Sequence, residues 1–145
     1  MRTMIVFVVL VLVAPALALA GTSSMSPVVS AKLRGANEVP KGDPNGKGLV
    51  VVHLNASRGT VCWSFKGVTG IAKPTQAHIH VGGKGVSGNV VVPFGGAYKA
   101  TGCIKATKSL IEKIESNPSA YYVNIHNAKY PAGAIRGQLV AGMTG

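Results

Sequence analysis

Acidic side chains are nearly missing from this 145-residue sequence, which holds four Asp and Glu against fifteen Lys and Arg. Glu112 and Glu115 fall together in one short helical segment, so no paired carboxylates remain for glycoside hydrolysis. Cysteine is limited to Cys62 and Cys103, without the C-x-x-C spacing that lowers a thiol pKa, which speaks against a redox-active pair. No serine has a nucleophile-elbow setting. The lysines and arginines are scattered singly, with no block of like charge and no stacked aromatics between them, which speaks against a dedicated nucleic-acid reader. Internal repeats and low-complexity tracts are absent, and after the N-terminal segment no second long apolar run follows.

That N-terminal segment has the grammar of a targeting signal. Arg2 supplies a positive start, Ile5 to Val13 an apolar run, and Ala18-Leu19-Ala20 a small-x-small cleavage site. A membrane anchor is the competing reading, since apolar character runs from Met4 to Ala20; Pro15, the short central run and the A-x-A ending favour cleavage. Residues 1–20 are therefore expected to be a signal peptide, 21–27 a flexible lead, and 28–142 one exported, extracellular domain. Loss of Arg2 leaves the mature chain at +10, a field that favours encounter with anionic surface polymers and also serves plain solubility.

Several short apolar stretches follow one another with glycine and proline between them. Strand character runs from Val28 to Gly35, then Glu38 to Gly46 reads as an extended turn region dense in Pro, Gly and Asx residues. Further strands are expected at Gly48–Asn55, at Val61–Val68 with the only tryptophan, at Ala77–Val81, Asn89–Phe94, Tyr98–Ala106, Ala120–Asn127 and Ala134–Ala141. One short helix is expected after Thr107 or Ser109, with Ser109 and Glu112 spaced as a capping box and Asn117-Pro118 as its stop. The pattern predicts an all-β fold, an antiparallel Greek-key β-sandwich of immunoglobulin-like or superoxide-dismutase-like type with one short helix; a small barrel is the alternative. Asn55-Ala56-Ser57 would be a glycosylation acceptor in a eukaryotic host and is otherwise a strand end.

The two cysteines are expected to form one disulfide, and both sit one step out of phase with the large apolar residues beside them. That phase predicts a bridge between strands of one sheet, worth about 4 kcal/mol in the chain-entropy account.

In Ala77-His78-Ile79-His80-Val81 strand alternation puts His78 and His80 on one face, and Tyr122-Val123-Asn124-Ile125-His126 repeats the pattern. The glycines from Gly82 to Gly88 are expected to turn the chain sharply away, leaving the polar face accessible. His53 reads as a solvated strand residue. If the two strands are neighbours, His78, His80 and His126 converge on a spacing that suits zinc or copper.

These stretches, with Leu33-Arg34-Gly35-Ala36-Asn37-Glu38-Val39-Pro40 before them and Tyr130-Pro131-Ala132-Gly133-Ala134-Ile135-Arg136-Gly137-Gln138-Leu139 after them, resemble the CHRD domain. That domain is named after the extracellular protein chordin and occurs also in small secreted single-domain proteins. Lys41 stands where many members have a second proline, and Ala134 where many have glutamate. The resemblance implies an extracellular β-sandwich module, generally without an assigned activity; chordin's role in growth-factor antagonism does not carry over to a lone domain.

Two readings of the polar face stay open at this point. In one, Glu38, Asn124, Arg136 and Gln138 form a structural network with the histidines, including a Glu38–Arg136 ion pair, in a non-catalytic module that binds an anionic polymer or an extracellular protein. In the other, His78, His80 and His126 hold copper or zinc. The His-x-His strand is like that of copper-zinc superoxide dismutase by analogy, but the further histidines and the aspartate are lacking, which leaves redox catalysis the least supported.

Overall fold

The computed structural model describes residues 27–142. The signal peptide expected at 1–20, and all of the flexible lead but Pro27, lie outside the described residues.

Among the described residues the fold has nine strands and one α-helix, β1 (Val28–Arg34), β2 (Lys47–Asn55), β3 (Thr60–Thr69), β4 (Pro74–Val81), β5 (Val90–Pro93), β6 (Thr101–Lys105), α1 (Lys108–Ser116), β7 (Tyr121–Asn127), β8 (Ile135–Gln138) and β9 (Val140–Ala141), with single 3-10 turns at Gly35–Asn37 and Pro118–Ala120. All pairings are antiparallel. Eight strands run in one continuous ladder, β5-β4-β7-β8-β1-β2-β3-β6, and β9 pairs with β1. The all-β antiparallel class with one short helix is as the sequence predicts.

The ladder curls, and its two ends meet across the core. Trp63 of β3 stacks on Phe94, just past β5, with ring centroids 4.3 Å apart, and Phe65 meets the same ring edge-on. Strand alternation explains which residues line the inside. Ala31, Leu33, Val50, Val52, Leu54, Val61, Ile79, Val123, Ile125 and Ile135 are all buried on the concave side. Ile111 and Ile114 of α1 close one end of this core.

Thr107 caps α1 by accepting from the Leu110 N–H, and the capping box does not form: Glu112 is drawn instead to Lys108, one turn earlier, in an i,i+4 pair. Tyr98 lies ahead of β6 rather than within it. Asn55 closes the β2–β3 turn, accepting from Arg58 N–H and the Ser57 hydroxyl. Cys62 and Cys103 stand directly opposite each other on β3 and β6 and are bonded, a bridge within one sheet as their phase predicts.

Candidate functional site

The convex face carries the chemistry. Register places His78 opposite Asn124, His80 opposite Tyr122 and Gln76 opposite His126 on β4 and β7, then Tyr122 opposite Gln138 and Asn124 opposite Arg136 on β7 and β8. Residues directly opposite in an antiparallel pair share a face. All the site residues expected on strands therefore meet on one surface, three strands wide.

The three histidines form a cluster whose ligand-capable nitrogens lie within 4.8 Å of one another. His126 Nδ1 lies 2.9 Å from the carbonyl oxygen of Pro131, and His80 Nδ1 lies 2.9 Å from that of Gly88. A carbonyl only accepts, so both Nδ1 atoms carry hydrogen. His126 Nε2 is then a lone pair, and it accepts from His78 Nδ1 at 3.0 Å. Burial pushes the pKa of His78 down to about 4, with the neighbouring His126 and His80 adding to the effect; burial lowers His80 and His126 as well. The cluster is therefore neutral in ordinary buffers, the state in which imidazole binds metal.

This donor set fits an ion. Two nitrogens sharing one zinc at about 2.0 to 2.1 Å lie roughly 3 to 3.4 Å apart, and His78 Nδ1 and His126 Nε2 are already at 3.0 Å. The 4.8 Å limit of the cluster means that one ring shifts by about an ångström to complete three contacts. The carbonyls of Gly88 and Pro131 supply the outer hydrogen bonds that metal-bound histidines ordinarily have.

Asn124 Oδ1 lies 2.9 Å from His80 Nε2, and the Asn124 side chain also hydrogen-bonds Glu38. Two proton arrangements satisfy this chain. Either an imidazolium donates to the Asn124 oxygen while its NH2 donates to a Glu38 carboxylate, or the amide is turned over between neutral His80 and a protonated Glu38. Burial works against both charges, lowering His80 and raising Glu38 to about 7, against the opposing pull of Arg136 and the hydrogen bond from Asn124. The neutral arrangement is favoured.

Glu38 is 4 % exposed and one of its oxygens has no hydrogen-bond partner. The expected ion pair with Arg136 is not formed: among the described residues the one ion pair is Lys108–Glu112. Glu38 is turned toward Asn124 and Gly133 instead, and a Cβ on Gly133 would collide with its carboxyl. Arg136 has other partners. It is 2 % exposed, donates to the carbonyls of Val86 and Gly83 at 2.8 Å each, and lies 3.3 Å over the Tyr122 ring. Gln138 donates to the Gly82 carbonyl at 2.6 Å and to the carbonyls of Ser119 and Tyr121.

The glycine loop therefore does not leave the polar face open. Arg136 and Gln138 pin it down over the sheet, and Gly88 folds in so closely that a Cβ there would strike the Val81 carbonyl. Tyr122 is the functional residue that the sequence reading passed over. His80 stacks on its ring at 4.7 Å from the β4 side, Arg136 covers it from β8, and its hydroxyl accepts from Gly88 N–H at 3.2 Å. Its alternation with Asn124 and His126 was the available signal. His53 is exposed on β2, away from the cluster, as expected.

The family model of the CHRD domain matches residues 29–139, from β1 to the end of β8. The chain belongs to the CHRD domain family. No curated protein and no solved structure matches it. The histidine strand, the glycine loop, Glu38 and Arg136 all lie inside the span of this CHRD domain.

Proposed function

We propose that this protein is an exported, non-catalytic CHRD module that binds one transition-metal ion, zinc or copper, through His78, His80 and His126. The observation that carries this reading is the tautomer pattern of three converging rings: two Nδ1–H groups are committed to backbone carbonyls, so the Nε2 lone pairs of His80 and His126, which meet Asn124 and His78 in the absence of an ion, are the atoms that would turn to a metal. When bound, the ion adds a cross-link between β4 and β7. His78 takes part by moving its single proton from Nδ1 to Nε2, so its coordination needs no ionisation. The in-sheet disulfide supports export, because such bonds persist in oxidising compartments.

Metal analysis and calorimetric titration of the purified mature chain test the proposal. One ion per chain is expected, with binding lost in His80→Ala and His126→Ala. Unfolding in metal at a hundred times Kd should be harder by about 2.7 kcal/mol. No bound ion, and the same unfolding midpoint with and without metal, would end the idea. A specific observation favours the structural reading in that event: the His78–His126 and His80–Asn124 hydrogen bonds already tie β4 to β7.

A further inference from the structure

Beyond β8, the same convex face carries a row of cations that no acid neutralises. Register sets Arg136 opposite Arg34 of β1, and Arg34 opposite Lys47 of β2. With strands about 4.8 Å apart, three cationic residues stand in line over roughly 10 Å. Lys32, two residues before Arg34, faces the same way, and Lys32, Arg34 and Lys47 are all exposed. Like charges directly opposite on a sheet destabilise it, so the fold gains nothing from this row. Of the four acids in the sequence, Glu38 and Asp43 are buried and Glu112 and Glu115 ride on α1.

A cavity of about 590 Å³ adjoins the row, lined by the segment from Ala36 to Lys41, by Lys84 and Gly85 of the glycine loop, and by Arg136 and Gln138. Its size is that of a small-molecule site. Lys41 and Lys84 give it positive charge, the Asn37 amide oxygen offers an acceptor while its NH2 is held by the Arg136 carbonyl, and Val39 and Pro40 form an apolar wall. An acidic sugar matches all three: a carboxylate for the lysines, a hydroxyl for the Asn37 oxygen, and a C–H ring face for the wall. A nucleic acid does not. Stacking on bases needs open aromatic faces; Trp63, Phe65, Phe94, Tyr121 and Tyr122 are buried, and the half-buried Tyr98 and Tyr130 do not line the cavity.

We propose that this face binds an acidic polysaccharide, with one acidic sugar in the Lys41–Lys84 cavity and the next units along the Arg34–Lys47 row. The site shares Glu38, Arg136 and Gln138 with the covered network but uses none of the three histidines.

Calorimetric titration of the whole mature chain with polygalacturonate at low salt tests this, with three variants of confirmed melting temperature. Arg34→Gln/Lys47→Gln should weaken binding at least tenfold and leave melting unchanged or raised. Lys73→Gln/Lys113→Gln removes equal charge elsewhere and should cost less than twofold. Lys84→Gln should cost at least threefold with trigalacturonate as the probe. Absence of binding, equal losses in the two double variants, or single-stranded DNA binding as tightly as polygalacturonate would each overturn the proposal.

Discussion

The convex face of the sheet divides into two halves that treat charge in opposite ways. On β4, β7 and β8, polar groups are covered by the glycine loop and the 35–43 segment, and nearly every donor and acceptor has a named partner. On β1 and β2, Lys32, Arg34 and Lys47 stand bare with like charges in register. Burial accounts for the difference. A covered polar group without a partner costs about 1 to 3 kcal/mol, so the covered half must be a closed network. An exposed charge is solvated and screened, so the bare half can keep a frustrated arrangement if something outside the chain uses it. Arg136 belongs to both halves, in register with Arg34 and yet fully engaged beneath the loop.

The largest break in this comparison should come from Arg136 itself. Arg136→Met keeps length and apolar bulk but leaves the Val86 and Gly83 carbonyls without their donor and removes the cation from the Tyr122 face. A loss of about 3 kcal/mol in urea unfolding is expected. Faster amide exchange should appear in residues 82–88 before it appears in the core strands. A loss below about 1 kcal/mol would mean that the loop is held by other contacts.

The next effect is one of pH. Burial raises Glu38 to about 7 from its unfolded value of 4.5, so between those limits the native state holds a proton that the unfolded chain lacks. Its contribution to stability is therefore full below pH 4.5 and lost as pH rises through 7. The histidines act in the opposite sense. His78 is lowered from 6.5 to about 4, and His80 and His126 are lowered too, so the unfolded chain protonates first and stability falls as pH drops below 6.5. With chelator present, Glu38→Gln should be more stable than the parent at pH 8.5 by about 1 to 2 kcal/mol. It should also fall more steeply in acid, because the opposing Glu38 contribution is gone. Parallel pH curves for the two proteins would place an ordinary, solvated carboxyl at position 38.

Tyr122→Phe sharpens the same half more gently. The ring still stacks with His80 and under Arg136, and only the hydroxyl bond to Gly88 is lost, so about 1 kcal/mol is expected. Tyr122→Leu, which also removes the stack, should cost clearly more in the same unfolding assay; equal losses would show that the stack contributes nothing.

The covered half was legible in the sequence to the extent that period-2 alternation governs it. His78, His80, Asn124, His126, Arg136 and Gln138 all land on the face that strand parity assigns. What parity cannot report is what folds over a strand. The Glu38–Arg136 pair failed for that reason: opposite charge was visible, but the loop carbonyls that outcompete the carboxylate for Arg136 have no side-chain signature. Tyr122 escaped notice because an aromatic on a strand reads as core, and here it serves as the plate between two polar side chains. The curl of the sheet was equally hidden, since it depends on Trp63 finding Phe94, residues 31 positions apart in sequence.

The smallest effect bears on the bare half. Lys47→Glu replaces a like-charge pair opposite Arg34 with an opposite-charge pair, and cross-strand pairs of that kind contribute about 0.2 to 1 kcal/mol. On an exposed face the change should stabilise by about 0.5 kcal/mol, an effect that shrinks as salt is added. The same substitution reverses the charge at the exposed end of the cationic row, next to Arg34, so polygalacturonate binding should collapse while stability improves. A gain in stability paired with a loss in binding is the signature of a surface kept frustrated for a partner. A variant that gains stability and still binds as the parent does would show that the row is merely tolerated, and would remove the contrast between the two halves.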